Sequence, residues 1–268
     1  MFRHFPSCVL LAALTMTIAQ APAVVLDWDA VTWSNRFSNS FDIDPDSAGD
    51  DVTISITGNT AQLGTEPTGE VTPGLTTLLA GGLSPIEKTL TLYLDLTSQT
   101  QAVTITVNFS TLYAMGVQDV SFTIFDVDFA NQGGNGATFQ DQLRAISATA
   151  MDGTLVAPAI TTTSGNTLTG TGLNQVVTGT ATVADTGAGS NAANVTISFG
   201  ATAIQSFTFG YGGGTNTKND PTAQHVGIHD ITFTPVPEIN PAVTAALSCF
   251  AATGLMFLHR ARVRARRQ

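Results

Sequence analysis

The residues best placed to do chemistry are three aspartates around a glycine- and asparagine-rich loop. Asp126 and Asp128 lie in the run Phe125-Asp126-Val127-Asp128-Phe129, and Asp141 follows the loop at 131–136. In an extended chain, residues two apart point to the same side, so the carboxylates of Asp126 and Asp128 are predicted to share a face. Carboxylates beside free loop carbonyls are the hard oxygen ligands that calcium prefers. The sequence therefore predicts a calcium site, with strand-ending, turn-capping aspartates as the alternative.

A second acidic cluster follows the spacing D-x-D-x-D. It lacks the glutamate that closes an EF-hand loop and has no predicted flanking helices. A solvated acidic loop is the favoured interpretation. The cluster comprises Asp42, Asp44, Asp46, Asp50 and Asp51.

Histidines and aromatic residues give weaker signals. His225 and His229 would share a face of a strand, but no third histidine is predicted nearby, which disfavours zinc. Four aromatic side chains could stack on sugar rings, although burial in the core is the commoner explanation. They are Trp28, Trp33, Tyr93 and Tyr211.

The sequence offers no convincing catalytic constellation. Ser110, Ser121 and Ser206 lie outside any G-x-S-x-G setting. Three glutamates could in principle pair for glycoside hydrolysis, but nothing in the sequence fixes their separation. They are Glu66, Glu70 and Glu87. We therefore predict that the protein is not an enzyme and needs no cofactor, apart from the candidate calcium ion.

The central part of the chain has the pattern of β-strands. Apolar residues alternate with Thr and Ser, as in TLTLYLDL at 89–96, where the leucines are predicted to face a core and Thr91, Tyr93 and Asp95 to face solvent. Turn-forming Gly, Asn, Asp and Pro separate the runs. The predicted strands are Val52–Thr57, Thr89–Leu96, Val103–Phe109, Val120–Asp126, Gln142–Thr149, Val195–Phe199, Ile204–Tyr211 and Val226–Phe233.

These strands predict the fold and the domain boundaries. Many short strands, each buried on one side, are expected to pack as two sheets, which predicts a jelly-roll-like β-sandwich over residues 24–233. The Thr-, Gly- and Ala-rich stretch 161–190 is either an edge hairpin or a long loop. Residues 234–241 contain three prolines and are predicted to be an extended linker.

The two ends of the chain predict export and membrane anchoring. Residues 1–23 combine Arg3, an uncharged run and small residues before Val24, as in a secretory signal peptide cut after Ala23, with Ala19 as the second choice. Residues 242–258 carry no charge and are just long enough to span a bilayer. Five arginines in the tail, residues 259–268, are predicted to stay in the cytoplasm. They are Arg260, Arg262, Arg264, Arg266 and Arg267.

The charge of the exported part limits its partners. The whole chain has a net charge of −10, but residues 24–237 hold 19 acidic and four basic residues, a net −15. Binding to phosphate groups depends on clusters of Lys and Arg, so nucleic acid is excluded as a partner and anionic lipid is disfavoured. Cations and neutral glycans, such as an exopolysaccharide, fit this surface better. Both cysteines lie outside this part of the chain.

The last 33 or so residues of the chain resemble a known sorting signal. Val236-Pro237-Glu238, the uncharged segment from Ala242 and the arginine-rich tail are similar to the PEP-CTERM signal of Gram-negative bacteria, although Ile239 stands where that motif has its second proline. The resemblance covers about 33 residues.

The resemblance implies a route for the protein. In that family an exosortase in the membrane is believed to recognise the motif and process the chain near it, after the secretion machinery has exported it. Carried over, Pro237 and Glu238 are the recognition residues and the tail arginines are the retention signal. The protein is then expected to begin as an inner-membrane precursor and end in the cell envelope or outside the cell, with a structural or adhesive role. The alternatives are a calcium-dependent carbohydrate-binding module and, least favoured, a secreted glycan-active enzyme.

Overall fold

The chain folds almost entirely as β-strands. The computed structural model describes residues 21–43, 49–66, 68–131, 137–183 and 187–238. In these ranges, two single-turn 3-10 helices, Thr60–Gln62 and Gly172–Asn174, interrupt the strands. The prediction of an all-β fold is therefore confirmed. The strands are β1 Val24–Leu26, β2 Ser38–Phe41, β3 Val52–Gly58, β4 Gly74–Thr76, β5 Thr89–Leu94, β6 Ala102–Phe109, β7 Val117–Phe125, β8 Phe129–Asn131, β9 Ala137–Ala150, β10 Leu155–Val156, β11 Ala159–Thr162, β12 Asn166–Thr169, β13 Val176–Gly179, β14 Val195–Gly200, β15 Ile204–Gly213, β16 Gln224–Ile228 and β17 Ile231–Pro235.

The strands pair antiparallel and form a curled, sandwich-like sheet. One layer has the order β2-β3-β6-β15-β9-β13-β12. The other runs β11-β14-β7, and β7 then pairs with β16 along one half and with β17 along the other. The two layers join where Ile204 pairs with Val117. The Thr-rich stretch therefore contains a hairpin, β12–β13, at one edge.

Aromatic side chains fill the space between the layers. Phe122 of β7 stacks on Phe207 of β15 with ring centroids 4.8 Å apart, and Phe109 of β6 contacts Phe233 of β17 at 4.9 Å. Phe122 and Phe207 are among the buried residues of one continuous core. Because strands of both layers contribute to it, burial of apolar side chains holds the layers face to face.

Two details of the strands differ from the sequence prediction. The run 226–233 is divided into β16 and β17, since the pairing with β7 moves by one residue between Ile228↔Ile124 and Thr232↔Ser121, as in a β-bulge. In β5, Thr91 is fully buried rather than solvent-facing. Strand β4 pairs edge to edge with β5, and the hydroxyl groups of Thr76 and Thr91 lie 2.7 Å apart in a hydrogen bond.

The long strand β7 separates two ends of the fold. Its nine residues span about 30 Å. At the first end, which we call the exit end, lie loop 110–116, turn 151–154 and the last described residues of the chain. At the other, the cleft end, β7 leads into Asp126 and β15 ends at Gly213.

The first and last strands lie side by side. Strand β1 pairs with β17, with Val24 opposite Phe233 and Leu26 opposite Ile231. The chain therefore enters and leaves this body at neighbouring positions of the second layer. Beyond β17, the backbone N–H of Val236 donates to the carbonyl of Gly116, 3.0 Å away.

The predicted targeting segments lie outside the described residues. This applies to residues 1–20, to the 242–258 helix and to the tail arginines. In the part of the chain that is described, no helix has the length and apolar character needed to cross a membrane.

Candidate functional site

The predicted calcium ligands lie together at the cleft end. Strand β7 ends at Phe125 because Asp126 adopts a left-handed conformation, with φ of +66°, which aspartate tolerates better than most residues. The expectation of an extended chain through Asp126 is therefore wrong. Asp126 and Asp128 nevertheless border the same cavity, and Phe125 and Val127 are buried in the protein.

Asp128 and Asp141 are linked by their own hydrogen bonds. The backbone N–H of Asp128 donates to Oδ2 of Asp141 at 3.1 Å, and the hydroxyl of Tyr211 donates to Oδ1 of Asp141 at 2.9 Å. The backbone N–H of Val183 donates to Oδ2 of Asp128 at 3.3 Å. Asp141 is fully buried and Asp128 nearly so. This network fixes two carboxylates in place before any ligand binds.

The carboxylates of Asp126, Asp128 and Asp141 lie close enough to repel one another. Burial raises the pKa of Asp141 well above its usual value, and the nearby carboxylate of Asp128 raises it further, with a smaller contribution from Asp126. The two hydrogen bonds to Asp141 act in the opposite direction but do not cancel these effects. A cation placed among the three carboxylates would relieve the repulsion.

His225 bridges two carboxylates beside this cluster. Its Nε2 lies 2.9 Å from Oδ2 of Asp126, and its Nδ1 lies 3.2 Å from Oε1 of Glu66. Burial alone would lower the pKa of His225, but hydrogen bonds to Asp126 and Glu66 raise it to about 10. Both ring nitrogens then carry protons at neutral pH, so His225 is a cation held between two anions.

Two adjoining cavities open beside His225. The larger, of about 400 Å³, is bordered by the carboxylates of Asp126 and Asp128 and by Thr182 and Val183. The smaller, of about 210 Å³, is bordered by Glu66, Tyr93 and Gln224. Asp126, Phe139 and His225 border both. We call the pair of cavities the His225 cleft.

Gln224 gives the cleft a buried amide. Only 2% of this residue is exposed, and among the described residues neither end of its side-chain amide makes a hydrogen bond of normal geometry. It lies close enough to the Tyr211 hydroxyl to lower the pKa of Tyr211, against the larger opposing effect of burial. An amide that can both donate and accept suits a ligand with hydroxyl groups.

A separate group of three polar residues lies on the β16–β17 bulge. His229 Nε2 lies 2.9 Å from Oε2 of Glu87 and 3.9 Å from Oδ2 of Asp230. Phe125 stacks on the His229 ring at 5.2 Å, and the backbone N–H of Trp28 donates to Asp230. These atoms are close enough together to hold a metal ion, but their contacts are also those of an ordinary ion pair that ties three loops together.

Other candidates from the sequence are located as follows. His225 contacts Glu66 and His229 contacts Glu87. The two histidines therefore do not form a joint metal site, and the two glutamates do not form a pair. Trp28 and Tyr211 are fully buried, so they cannot stack on a sugar, whereas Tyr93 is half-buried beside the cleft.

The second acidic cluster is only partly described. Asp44 and Asp46 lie outside the described residues. Asp51 does not belong to a solvated loop, because it is fully buried and its Oδ2 accepts the backbone N–H of Ile43 at 2.8 Å. This aspartate therefore helps to build the fold.

The predicted sorting motif begins directly after the last described strand, β17. Val236 and Pro237 are half-buried, and Glu238 is exposed. The motif thus lies at the exit end, far from the His225 cleft.

Comparisons with known proteins give no independent guide to the role of either end. No protein-family model matches the chain, and a search of curated proteins finds no significant match. The function must therefore be argued from the residues themselves.

Proposed function

We propose that this protein is an exported, non-catalytic surface or extracellular-matrix protein, released from a membrane-anchored precursor by exosortase-type processing. The role is structural or adhesive, and the body that carries it is a jelly-roll-like β-sandwich. Pairing of strands distant in sequence, such as β6 with β15 and β7 with β14, is typical of that architecture.

The observation that carries the proposal is the position of the two predicted cleavage sites. Val24, the first residue after the predicted signal peptide, pairs with Phe233, and the sorting motif starts directly after Pro235, where β17 ends. A cut before Val24 or after Glu238 would leave every described strand pair intact. The first and last described strands thus lie just inside the two predicted cleavage sites, which supports the proposal.

The test is the intact mass of the protein recovered from cell and medium fractions of its native host. We expect a species that lacks residues 1–23 and residues after about 238. The double variant Pro237→Ala/Glu238→Ala is expected to accumulate as the membrane-bound precursor, whereas Glu70→Ala, which changes an exposed glutamate elsewhere, is processed normally. An unchanged mature product from the double variant would contradict exosortase-type processing.

A second candidate function, calcium-dependent carbohydrate binding, is favoured by the His225 cleft. Three crowded carboxylates supply calcium ligands, while Tyr93, Phe139 and the Gln224 amide border the adjoining space. Aromatic rings and amides are the groups that contact the faces and hydroxyl groups of sugars. In this reading Asp126, Asp128 and Asp141 bind the ion and the smaller cavity takes a sugar unit.

Calcium titration followed by thermal unfolding tests this second candidate. We expect Tm to rise with calcium in the wild type and in Asp152→Asn, which changes an exposed aspartate at the exit end. The response should be lost in Asp128→Asn. A Tm that is insensitive to calcium in the wild type would exclude a folded-state calcium site, and binding of the host's polysaccharide without calcium would favour a simpler glycan site.

A further inference from the structure

The exit end carries an apolar rim that the proposed function does not explain. Three large side chains in its loops are between 43% and 44% exposed. They are Leu112 and Met115, in loop 110–116, and Met151, at the start of turn 151–154. A soluble surface tolerates single exposed apolar residues, but three at one end of a body suggest a contact surface.

The rim lies beside the last described residues of the chain. Val236 donates to the carbonyl of Gly116, the residue that follows Met115. Met151 packs against the same glycine, where an added Cβ would lie 2.8 Å from its sulfur atom. A cavity of about 150 Å³ lies between Met151 and loop 110–116. Met151, the loop that holds Leu112 and Met115, and the last described residues therefore meet at Gly116.

The short chain between Glu238 and the uncharged segment limits how far this surface can lie from that segment. Three residues, 239–241, separate Glu238 from the start of the uncharged segment at Ala242. Fully extended, the chain from 238 to 242 reaches at most about 14 Å. If that segment spans the membrane, as the proposed function requires, the exit end cannot move far from the bilayer surface.

We propose that Leu112, Met115 and Met151 form a membrane-contacting rim that seats the precursor against the interfacial layer of the bilayer, with the His225 cleft facing away. The inference rests on the proposed membrane-anchored precursor. Methionine and leucine enter the boundary between headgroups and acyl chains readily. The exposed Asp152 and Asp119 border the rim, and its loops, residues 110–116 and 151–154, contain no lysine or arginine, so the contact is apolar and fits zwitterionic lipid better than anionic lipid.

Depth-dependent fluorescence quenching tests the rim in the full-length precursor. The protein is placed in phosphatidylcholine vesicles, in a Cys8→Ser/Cys249→Ser background, with a fluorophore on Met115→Cys or Met151→Cys. The matched control is Thr100→Cys, an exposed position at the cleft end. We expect a quencher attached near the lipid headgroup to reduce emission at the two rim positions several-fold more than at the control, and anionic lipid to weaken the difference.

The outcomes separate the rim from the anchor. Resistance of the precursor to alkaline extraction reports the anchor alone. If the precursor resists extraction but the rim labels are quenched no more than the control, the rim inference is overturned while the anchor stands. If the precursor is extracted, both are overturned. If the rim labels of two chains contact each other and lipid does not quench them, a second copy of the chain is the occupant. That result would also overturn the inference. As a further check, Leu112→Ser in the Met151→Cys reporter should reduce its quenching.

Discussion

The two ends of this sandwich-like fold are built from the same strands but differ in their side chains, with buried carboxylates at one end and exposed apolar groups at the other. At the cleft end, β7 and β9 bring carboxylates into the interior, where Asp126 and Asp141 are almost entirely buried. At the exit end, the same two strands begin or finish beside loops that leave apolar side chains at the surface. Burying polar groups and exposing apolar groups both cost stability. Each of these two arrangements therefore indicates a site of interaction.

The comparison also shows where the fold is vulnerable. The cleft end depends on matched charges, because removing one partner of a buried ion pair leaves the other uncompensated. The rim side chains at the exit end remain partly exposed in the folded protein, so replacing them removes little buried apolar surface. Substitutions at the two ends should therefore differ in their effect on stability.

The largest effect is expected for His225→Gln. Removing the cation leaves Glu66 and Asp126 facing each other in a largely buried site, and should lower the free energy of unfolding at pH 7 by about 2–4 kcal/mol. Urea unfolding measures it. Because the folded-state pKa of His225, about 10, lies above the usual 6.5, the stabilisation is fully present below pH 6.5 and is lost as pH rises through 10.

The pH dependence of that effect provides its own check. The difference between wild type and His225→Gln should shrink at alkaline pH. A difference that stays constant from pH 6 to pH 10.5 would show that shape, rather than charge, explains the loss.

A smaller effect is expected for Asp141→Asn. The folded-state pKa of Asp141 is raised above its usual 3.8, so without calcium its ionisation costs stability as pH rises from about 4 through the raised value. Asparagine keeps an oxygen that can accept the N–H of Asp128 but cannot ionise. We expect Tm of the wild type to fall relative to that of the variant across this range by roughly 2–4 °C, equivalent to about 1 kcal/mol. If the Tm of the wild type and that of Asp141→Asn change with pH in parallel, ionisation of Asp141 costs no stability.

The smallest effect on stability is expected at the rim. Met151→Ser and Leu112→Ser change exposed side chains, so each should alter the free energy of unfolding by no more than about 0.5 kcal/mol. Denaturant unfolding of the protein measures this. A loss above about 2 kcal/mol would mean that the rim belongs to the core, and that its exposure has no bearing on a partner.

The sequence was sufficient for the all-β class and for most strands, because one-sided burial leaves a period of two in residues such as Ile54, Ile105 and Val107. It also located the three aspartates that share the cleft end. It could not indicate that Thr91 is buried, since that depends on how distant parts of the chain pack around β5.

The sequence also could not predict that His225 bridges Glu66 and Asp126. Glu66, Asp126 and His225 are separated by 60 and 99 residues along the chain. They meet because β16 pairs with both β5 and β7, and because Asp126 turns out of its strand. The spacing in HVGIH predicted only that the two histidines share a face of a strand, whereas the partners of His225, Glu66 and Asp126, lie on other segments.

The pairing of β1 with β17 has a consequence for how the protein matures. If the chain is exported as proposed, residues 24–26 cross the membrane among the first of the body and their partners at 231–233 among the last. On that route this edge closes only when nearly the whole body has crossed, and so large a separation in sequence slows the search for the native pairing. An enzyme acting on the predicted sorting motif would then encounter a substrate that has just finished folding.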